Sequence, residues 1–206
     1  MRLLFVRHGQ THDNARSVLQ GQRGAGLDDT GRTQIARLGE RLKRRSYAAM
    51  ISSDLQRAAE SAGILAERIA LEPRLDAAFR EIDVGTWSGL TIDEAAARHP
   101  EEHAAWRAGK DVRRGGGETY AEVAARMHER ALQIARDHRD GVVIVVSHGT
   151  AIRALAARVL GLVPNRFPAW PVMTNGAITS FSVERTTMRL LSWNDCAHLE
   201  DEPHGI

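Results

Sequence analysis

Residues Val142 to Ser147 read VVIVVS, five apolar residues without a break and then a serine, and His148 and Gly149 follow at once. A run of this kind is a strand buried on both faces, so it needs a layer of structure above and another below. Four further segments read as buried strands: Arg2 to Val6, Tyr47 to Ser52, Ile178 to Val183 and Met188 to Trp193.

Helical patterns lie between them. Gly31 to Arg45 places Ile35, Leu38 and Leu42 at helical spacing, and Asp54 to Ile69 follows Ser53, which has Gln56 three residues on in the manner of a capping box. Thr91 and Glu94 form a second such pattern, opening a helix towards His99 that Pro100 should stop or kink. Glu118 to Arg136 reads as another helix, preceded by three glycines, Gly115 to Gly117. Strand and helix in alternation predict an α/β fold: a three-layer α/β/α sandwich with a mostly parallel central sheet and an antiparallel C-terminal edge, its hairpin turning at Arg185 to Thr187. One domain over residues 1–196 accounts for the pattern, and 197–206 reads as a short acidic tail open to disorder.

The charge balance narrows the function. The 28 Lys and Arg against 26 Asp and Glu leave a net charge of +2, so no general basic surface for nucleic acid is indicated despite a pI near 9.1. Cys196 is the only cysteine, which rules out an intrachain disulfide and a cysteine-built zinc site and makes a reducing cytosol the expected compartment. No apolar run reaches signal-peptide or membrane-helix length.

In open α/β sheets, ligands bind beyond the carboxyl ends of the strands. Four groups fall there: Arg7 and His8 after the first strand, Arg57 in the first turn of the helix after the second, and His148 after VVIVVS. Guanidinium forks near helix N-termini suit a phosphate, and a neutral imidazole with one nitrogen committed to an acceptor can attack phosphorus through the other. Nearby Arg7 and Arg57 should disfavour protonation of His8, and Gly9 should let backbone approach the ligand. A lone histidine at a strand end is more often structural than catalytic; two His-Gly pairs with Arg57 form a more specific set.

Together these motifs resemble the histidine phosphatase superfamily, the phosphoglycerate-mutase-like group, from Arg2 to about Thr179. Arg7, His8, Gly9 and Asn14 match its signature; LQGQRGAGLDDTGRTQ resembles the loop after the nucleophile, with Gln20 and Gly21 in place; SSDLQRAAESA supplies Arg57; FREIDVGTWSGLT resembles the segment carrying the family's acid, which falls on Glu81; GGGET resembles the loop before the long helix; VSHGTAIRAL supplies His148. The resemblance implies a phosphohistidine on His8, oxygens held by Arg7, Arg57 and His148, and donation from Asn14. It adds Gln20, Gly21, Gly149 and Thr150 to the substrate-binding set, and it makes Glu81, held protonated, the donor to the leaving oxygen. Asp83 and Asp13 are rivals for that last role on sequence alone. No metal or other cofactor is implied. The partner expected is a small phosphomonoester, such as a sugar phosphate or a phosphoglycerate derivative, acted on by a monomer or homodimer. Family mutases usually carry a longer insertion between acid and second histidine than the 67 positions from Glu81 to His148, which favours a phosphatase over a bisphosphoglycerate-dependent mutase or an idle phospho-ligand binding domain.

Other patterns carry less. HPEEH, His99 to His103, formally matches a zinc-binding helix, but Pro100 and the surrounding charge read better as a surface helix start. GQRGAG has the wrong glycine order for a dinucleotide site. Trp87, Trp106 and Trp170 read as core packing. Specificity should come from Gln10 to Gln22, Ala105 to Thr119 and Val163 to Met173. Arg113 and Arg114 either grip a second anionic group or form a solvated loop pair, the commoner situation.

Overall fold

A computed structural model describes residues 1–162 and 170–199. Its six strands are β1 (Arg2–Arg7), β2 (Ala49–Ser52), β3 (Pro73–Leu75), β4 (Val142–Ser147), β5 (Ile178–Glu184) and β6 (Thr187–Asp195), in the order β3-β2-β4-β1-β5-β6. β1, β2, β3 and β4 run parallel, and β5 and β6 form the antiparallel edge, with β5 pairing β1 directly. The expected sandwich is present with one strand more than the sequence indicated. β3 has three residues with Leu75 largely exposed, and so no apolar run to announce it.

Alternation along the strands builds the two cores. Leu3 and Phe5 of β1, with Val143 and Val145 of β4, face one side of the sheet and meet α6 (Tyr120–Asp137) and α7 (Gly149–Val159). On the same side the Phe5 ring meets Phe79 and Phe181 edge-on, at centroid distances of 5.9 and 5.5 Å. Leu4 and Val6, with Ile144 and Val146, face the other side and meet α2 (Asp29–Leu42), which follows the one-turn α1 (His12–Ala15), and α3 (Gln56–Ile69). Both faces of β4 are therefore covered, as its composition requires.

The Thr91 capping box is present, opening α4 (Ile92–Arg98), and Pro100 takes the first turn of a separate helix, α5 (Pro100–Arg107). The long helix starts two residues later than expected, because Thr119 is its N-cap with Glu122 closing the box, and Glu118 is left to bind elsewhere. Ser53 does not cap α3. Leu55 holds the N-cap position without a side-chain bond, and the Ser53 hydroxyl is spent on His148. The expected tail begins with one 3-10 turn, Ala197–Leu199, whose Leu199 is buried; residues 200–206 lie outside the described residues.

One close approach fixes the end of β1 on its neighbouring helix. A Cβ on Gly9 would lie 2.3 Å from the Gly31 carbonyl oxygen, and a Cβ on Gly31 would lie 2.1 Å from that of Gln10. Gly9 is thus needed for backbone contact with the first turn of α2 and not, as expected, for approach of the ligand. Gly31→Ala should cost about 1–3 kcal/mol through overpacking. Urea denaturation checks this; an unchanged midpoint would show that the contact yields freely.

Candidate active site

The parallel register pairs Arg7 with Ser147 and Ser52 with Val146, so Ser53, His148 and His8 emerge side by side at the carboxyl edge of β2, β4 and β1. The imidazole rings of His8 and His148 lie 5.1 Å apart between centroids. His8 Nδ1 is 2.7 Å from the Gly9 carbonyl oxygen, which can only accept, so Nδ1 carries the proton and Nε2 keeps its lone pair. Arg57 Nε donates to that Nε2 at 3.2 Å. Burial, with the charges of Arg57 and then Arg7, holds the His8 pKa well below 6.5. The His8 carbonyl is fixed by the Asn175 side chain at 3.1 Å and the Gly176 N–H at 3.2 Å.

His148 is completely buried, and its Nε2 lies 2.8 Å from Ser53 Oγ. That hydroxyl also accepts from the Leu55 N–H at 3.3 Å and has no other acceptor than Nε2 among the described residues, so satisfying its own proton makes Ser53 the donor to Nε2 and puts the imidazole proton on Nδ1. Nδ1 is buried without a hydrogen-bond partner among the described residues, and His148 stands behind the wall of the cavity over His8 rather than in it. Burial first, then Arg57, also lowers the His148 pKa well below 6.5.

The two arginines are held differently. Arg57, buried in the first turn of α3, donates Nη1 to the Arg23 carbonyl at 2.7 Å and Nη2 to the Gly21 carbonyl at 2.8 Å. Arg7 donates Nη1 to the Met173 carbonyl and crosses the start of α7, where a Cβ on Gly149 would lie 3.0 Å from its Nε. Desolvation brings the Arg7 pKa down to about 10, still far above neutrality.

Glu81 sits on the N-terminus of α7. Its carboxyl accepts from Ala151 and Ile82 N–H groups at 2.8 Å each and from Thr150 N–H at 3.1 Å. Oε1 accepts two of these bonds and Oε2 one, which fixes the carboxyl against the helix start. Arg126, paired with Glu118, reaches the Glu81 carbonyl at 3.1 Å and positions the segment. Asp83 is spent on the Gly85 N–H at 2.8 Å, and neither it nor Asp13 borders the cavity over His8.

That cavity is about 120 Å³, with Arg7, Arg57, Glu81, Asn14 and Gln20 in its wall. Asn14 Oδ1 accepts from Thr11 and, at 3.2 Å, from Asn175, leaving its NH₂ to donate. Gln20 bonds Thr11 at 2.9 Å, and Gly21 contributes its carbonyl to Arg57. Sequence reasoning missed Asn175, Ser53, Arg126 and Glu118. Only a packed structure reveals them, since each acts through a partner more than 8 residues away or, for Glu118 and Arg126, through the segment they jointly hold.

His99 and His103 pack on Trp87 at 6.2 and 6.1 Å, and no group of three potential metal ligands exists among the described residues. Trp170 packs against Trp193 at 4.5 Å between centroids, with the rings tilted by 33°. The arginine pair divides: Arg113 is exposed and bound to Glu122, whereas Arg114 is buried, contrary to the solvated reading. Residues 163–169 of the third expected specificity segment lie outside the described residues; Val172 and Met173 reach the site.

An unprotonated imidazole nitrogen in the wall of a small cavity that also holds Arg7, Arg57 and Arg114, at the carboxyl edge of an α/β/α sandwich, is the arrangement of a phosphoryl-transfer enzyme. The chain belongs to the histidine phosphatase superfamily (branch 1), whose family model matches residues 3–196. It is 35% identical to the glucosyl-3-phosphoglycerate phosphatase of Mycobacterium tuberculosis over 98% of this chain and 97% of that protein. It is 30% identical to the metal-independent phosphoserine phosphatase of Arabidopsis thaliana over 96% of this chain and 82% of that one. The solved structure of a mycobacterial glucosyl-3-phosphoglycerate phosphatase with VO3 superposes with a TM-score of 0.85 at 35% identity, covering 94% of this chain and 99% of that chain.

The geometry makes two outcomes measurable. Ser53→Ala orphans His148 Nε2 and should lower kcat by about 5- to 150-fold, equivalent to about 1–3 kcal/mol, with a smaller effect on KM. Steady-state kinetics reads this, and an unchanged kcat would show that Ser53 does not position His148. Because both histidines have pKa values below 6.5, they stay neutral as pH falls through that value and protonate only further down. Ring-proton NMR signals assigned with His8→Ala and His148→Ala should therefore not titrate at pH 6.5 or above.

Proposed function

We propose that the chain is a phosphomonoesterase that hydrolyses a small phosphorylated metabolite through a phosphohistidine on His8. The observation that carries this is the His8 tautomer: Nδ1–H is committed to the Gly9 carbonyl, and Nε2, unprotonated, accepts from the Arg57 Nε–H at 3.2 Å in the wall of the arginine-lined cavity. In the first step Nε2 forms a bond to phosphorus as the bond from phosphorus to the ester oxygen breaks. Arg7, Arg57, the Nδ1–H of His148 and the Asn14 amide neutralise and hold the phosphoryl oxygens. An arriving oxyanion competes with Nε2 for the Arg57 donor, which frees the lone pair as the substrate seats. Glu81 in its protonated form gives a proton to the leaving oxygen. As a carboxylate it then takes one from the water that attacks phosphohistidine, so a single group serves both halves.

Charge neutralisation by arginines makes a metal unnecessary, and the lone free cysteine, Cys196, suits a cytosolic setting. No helix among the described residues is long and apolar enough to cross a membrane. The names of the relatives support a phosphorylated glycerate or serine derivative as the kind of substrate.

A phosphomonoester panel tests the reading. Phosphate release should survive a chelator, vanish in His8→Ala, and fall by about 10²–10⁴ in Glu81→Gln. 3-Phosphoglycerate supplied with its bisphosphate primer should yield phosphate; isomerisation instead would make the chain a mutase. Phosphate binding without turnover of any ester would make it an idle binding domain.

A further inference from the structure

The peptide groups that follow His8 are gripped by side chains from outside β1. The Gly9 N–H donates to Ser61 Oγ at 3.2 Å, and the His8 carbonyl of the same peptide accepts from Asn175 and Gly176. The next peptide, Gly9 to Gln10, does more. Its carbonyl is the acceptor for His8 Nδ1–H at 2.7 Å, and its N–H donates to Gln34 Oε1 at 3.0 Å. The two bonds therefore sit at opposite ends of one planar amide.

Gln34 is buried in α2 and uncharged, and it is not in the wall of the cavity over His8. The close approach of Gly9 to Gly31 seats the amide against the helix that carries Gln34, and the Gln10 carbonyl is pinned there by the Asp28 N–H at 3.0 Å. Gly176, a donor to the His8 carbonyl, rests on the same side chain: a Cβ on it would lie 3.3 Å from Gln34 Cβ. The Gln10 N–H has no other acceptor among the described residues. Hydrogen bonds in series polarise one another, so an acceptor on the amide N–H enriches the carbonyl oxygen, strengthens its bond from Nδ1–H and leaves more electron density at Nε2.

We infer that Gln34 is a positioning residue for the nucleophile: by accepting from the Gln10 N–H it fixes and polarises the Gly9 carbonyl, which orients His8 Nδ1–H and strengthens attack by Nε2. The charged or titratable groups that face His8 are Arg7 from β1, Arg57 from α3, His148 from the end of β4 and Glu81 in the cavity wall. Exchange of Gln34 for methionine alters none of them. The inference rests on the phosphatase reading and deepens it.

The test uses the full chain with p-nitrophenyl phosphate, for which kcat/KM reports the steps up to attack by His8. Gln34→Met, similar in size but without the acceptor, should lower kcat/KM by about 5- to 10-fold, the value of one hydrogen bond, while the inhibition constant of orthophosphate stays unchanged because the arginines are untouched. The His8 Nδ1 proton resonance, assigned by its loss in His8→Ala, should move upfield as its bond to Gly9 weakens. Gln34→Glu keeps an acceptor and should keep both the rate and the signal. Gln34→Asn, which draws the oxygen back by one methylene, gives the same reading if Gln34→Met fails to fold by circular dichroism. An unchanged kcat/KM or an unmoved resonance in Gln34→Met, equal losses in Gln34→Glu, or orthophosphate affinity lost in step with the rate overturns the inference while leaving the phosphatase intact. If the unaltered chain hydrolyses no ester, including p-nitrophenyl phosphate, the phosphatase reading fails. The resonance then decides alone: an upfield move in Gln34→Met supports the positioning role, and no move removes it.

Discussion

The level pairing of β1 with β4 is the constraint on which the rest depends. With Arg7 opposite Ser147, two His-Gly turns far apart in the chain leave the sheet at the same height, and their imidazoles meet without any long side chain having to reach. A slip of one residue would send each strand's apolar set to the opposite face, so the two cores enforce the register that the chemistry needs. Stability and catalysis are fixed by the same hydrogen-bond ladder.

Electrostatics at that edge works against stability. Arg7, Arg57 and Arg114 are crowded into or beside a small volume, and among the described residues Glu81 is the only carboxylate bordering the inner cavity. Backbone carbonyls, of Gly21 and Arg23 for Arg57 and of Met173 for Arg7, satisfy part of the guanidinium hydrogen-bonding capacity without cancelling the charge. The uncancelled charge is what a dianionic phosphate encounters, and it adds to burial, the larger cause, in holding the His8 and His148 pKa values well below 6.5.

Much of this was legible in the chain. Continuous apolar runs marked the buried strands, alternation with helices pointed to the layered architecture, and the rule that ligands gather at strand carboxyl ends selected Arg7, His8, Arg57 and His148. Where sequence reading fell short, the reason was non-local. Ser53 has the local spacing of an N-cap, but its hydroxyl turns to a histidine 95 residues away. Gly9 looked like a ligand contact because it follows His8, whereas the group packed against it is the Gly31 backbone. Arg114 had the appearance of a loop charge, and only packing between Trp106 and Tyr120 shows it to be interior. β3 was too short to signal itself.

The reversal of direction at β5 has a wider consequence. A parallel strand delivers its downstream residues to the shared edge; an antiparallel neighbour delivers its upstream ones. Thus Met173, Asn175 and Gly176, lying just before β5, brace Arg7, His8 and Asn14 from the side opposite β4. This late stretch of the polypeptide, though it supplies no reacting atom, completes the scaffold around the first eight residues. A nascent chain therefore holds His8 unbraced until Met173 to Gly176 have been made, and the site should assemble as one event instead of growing with length.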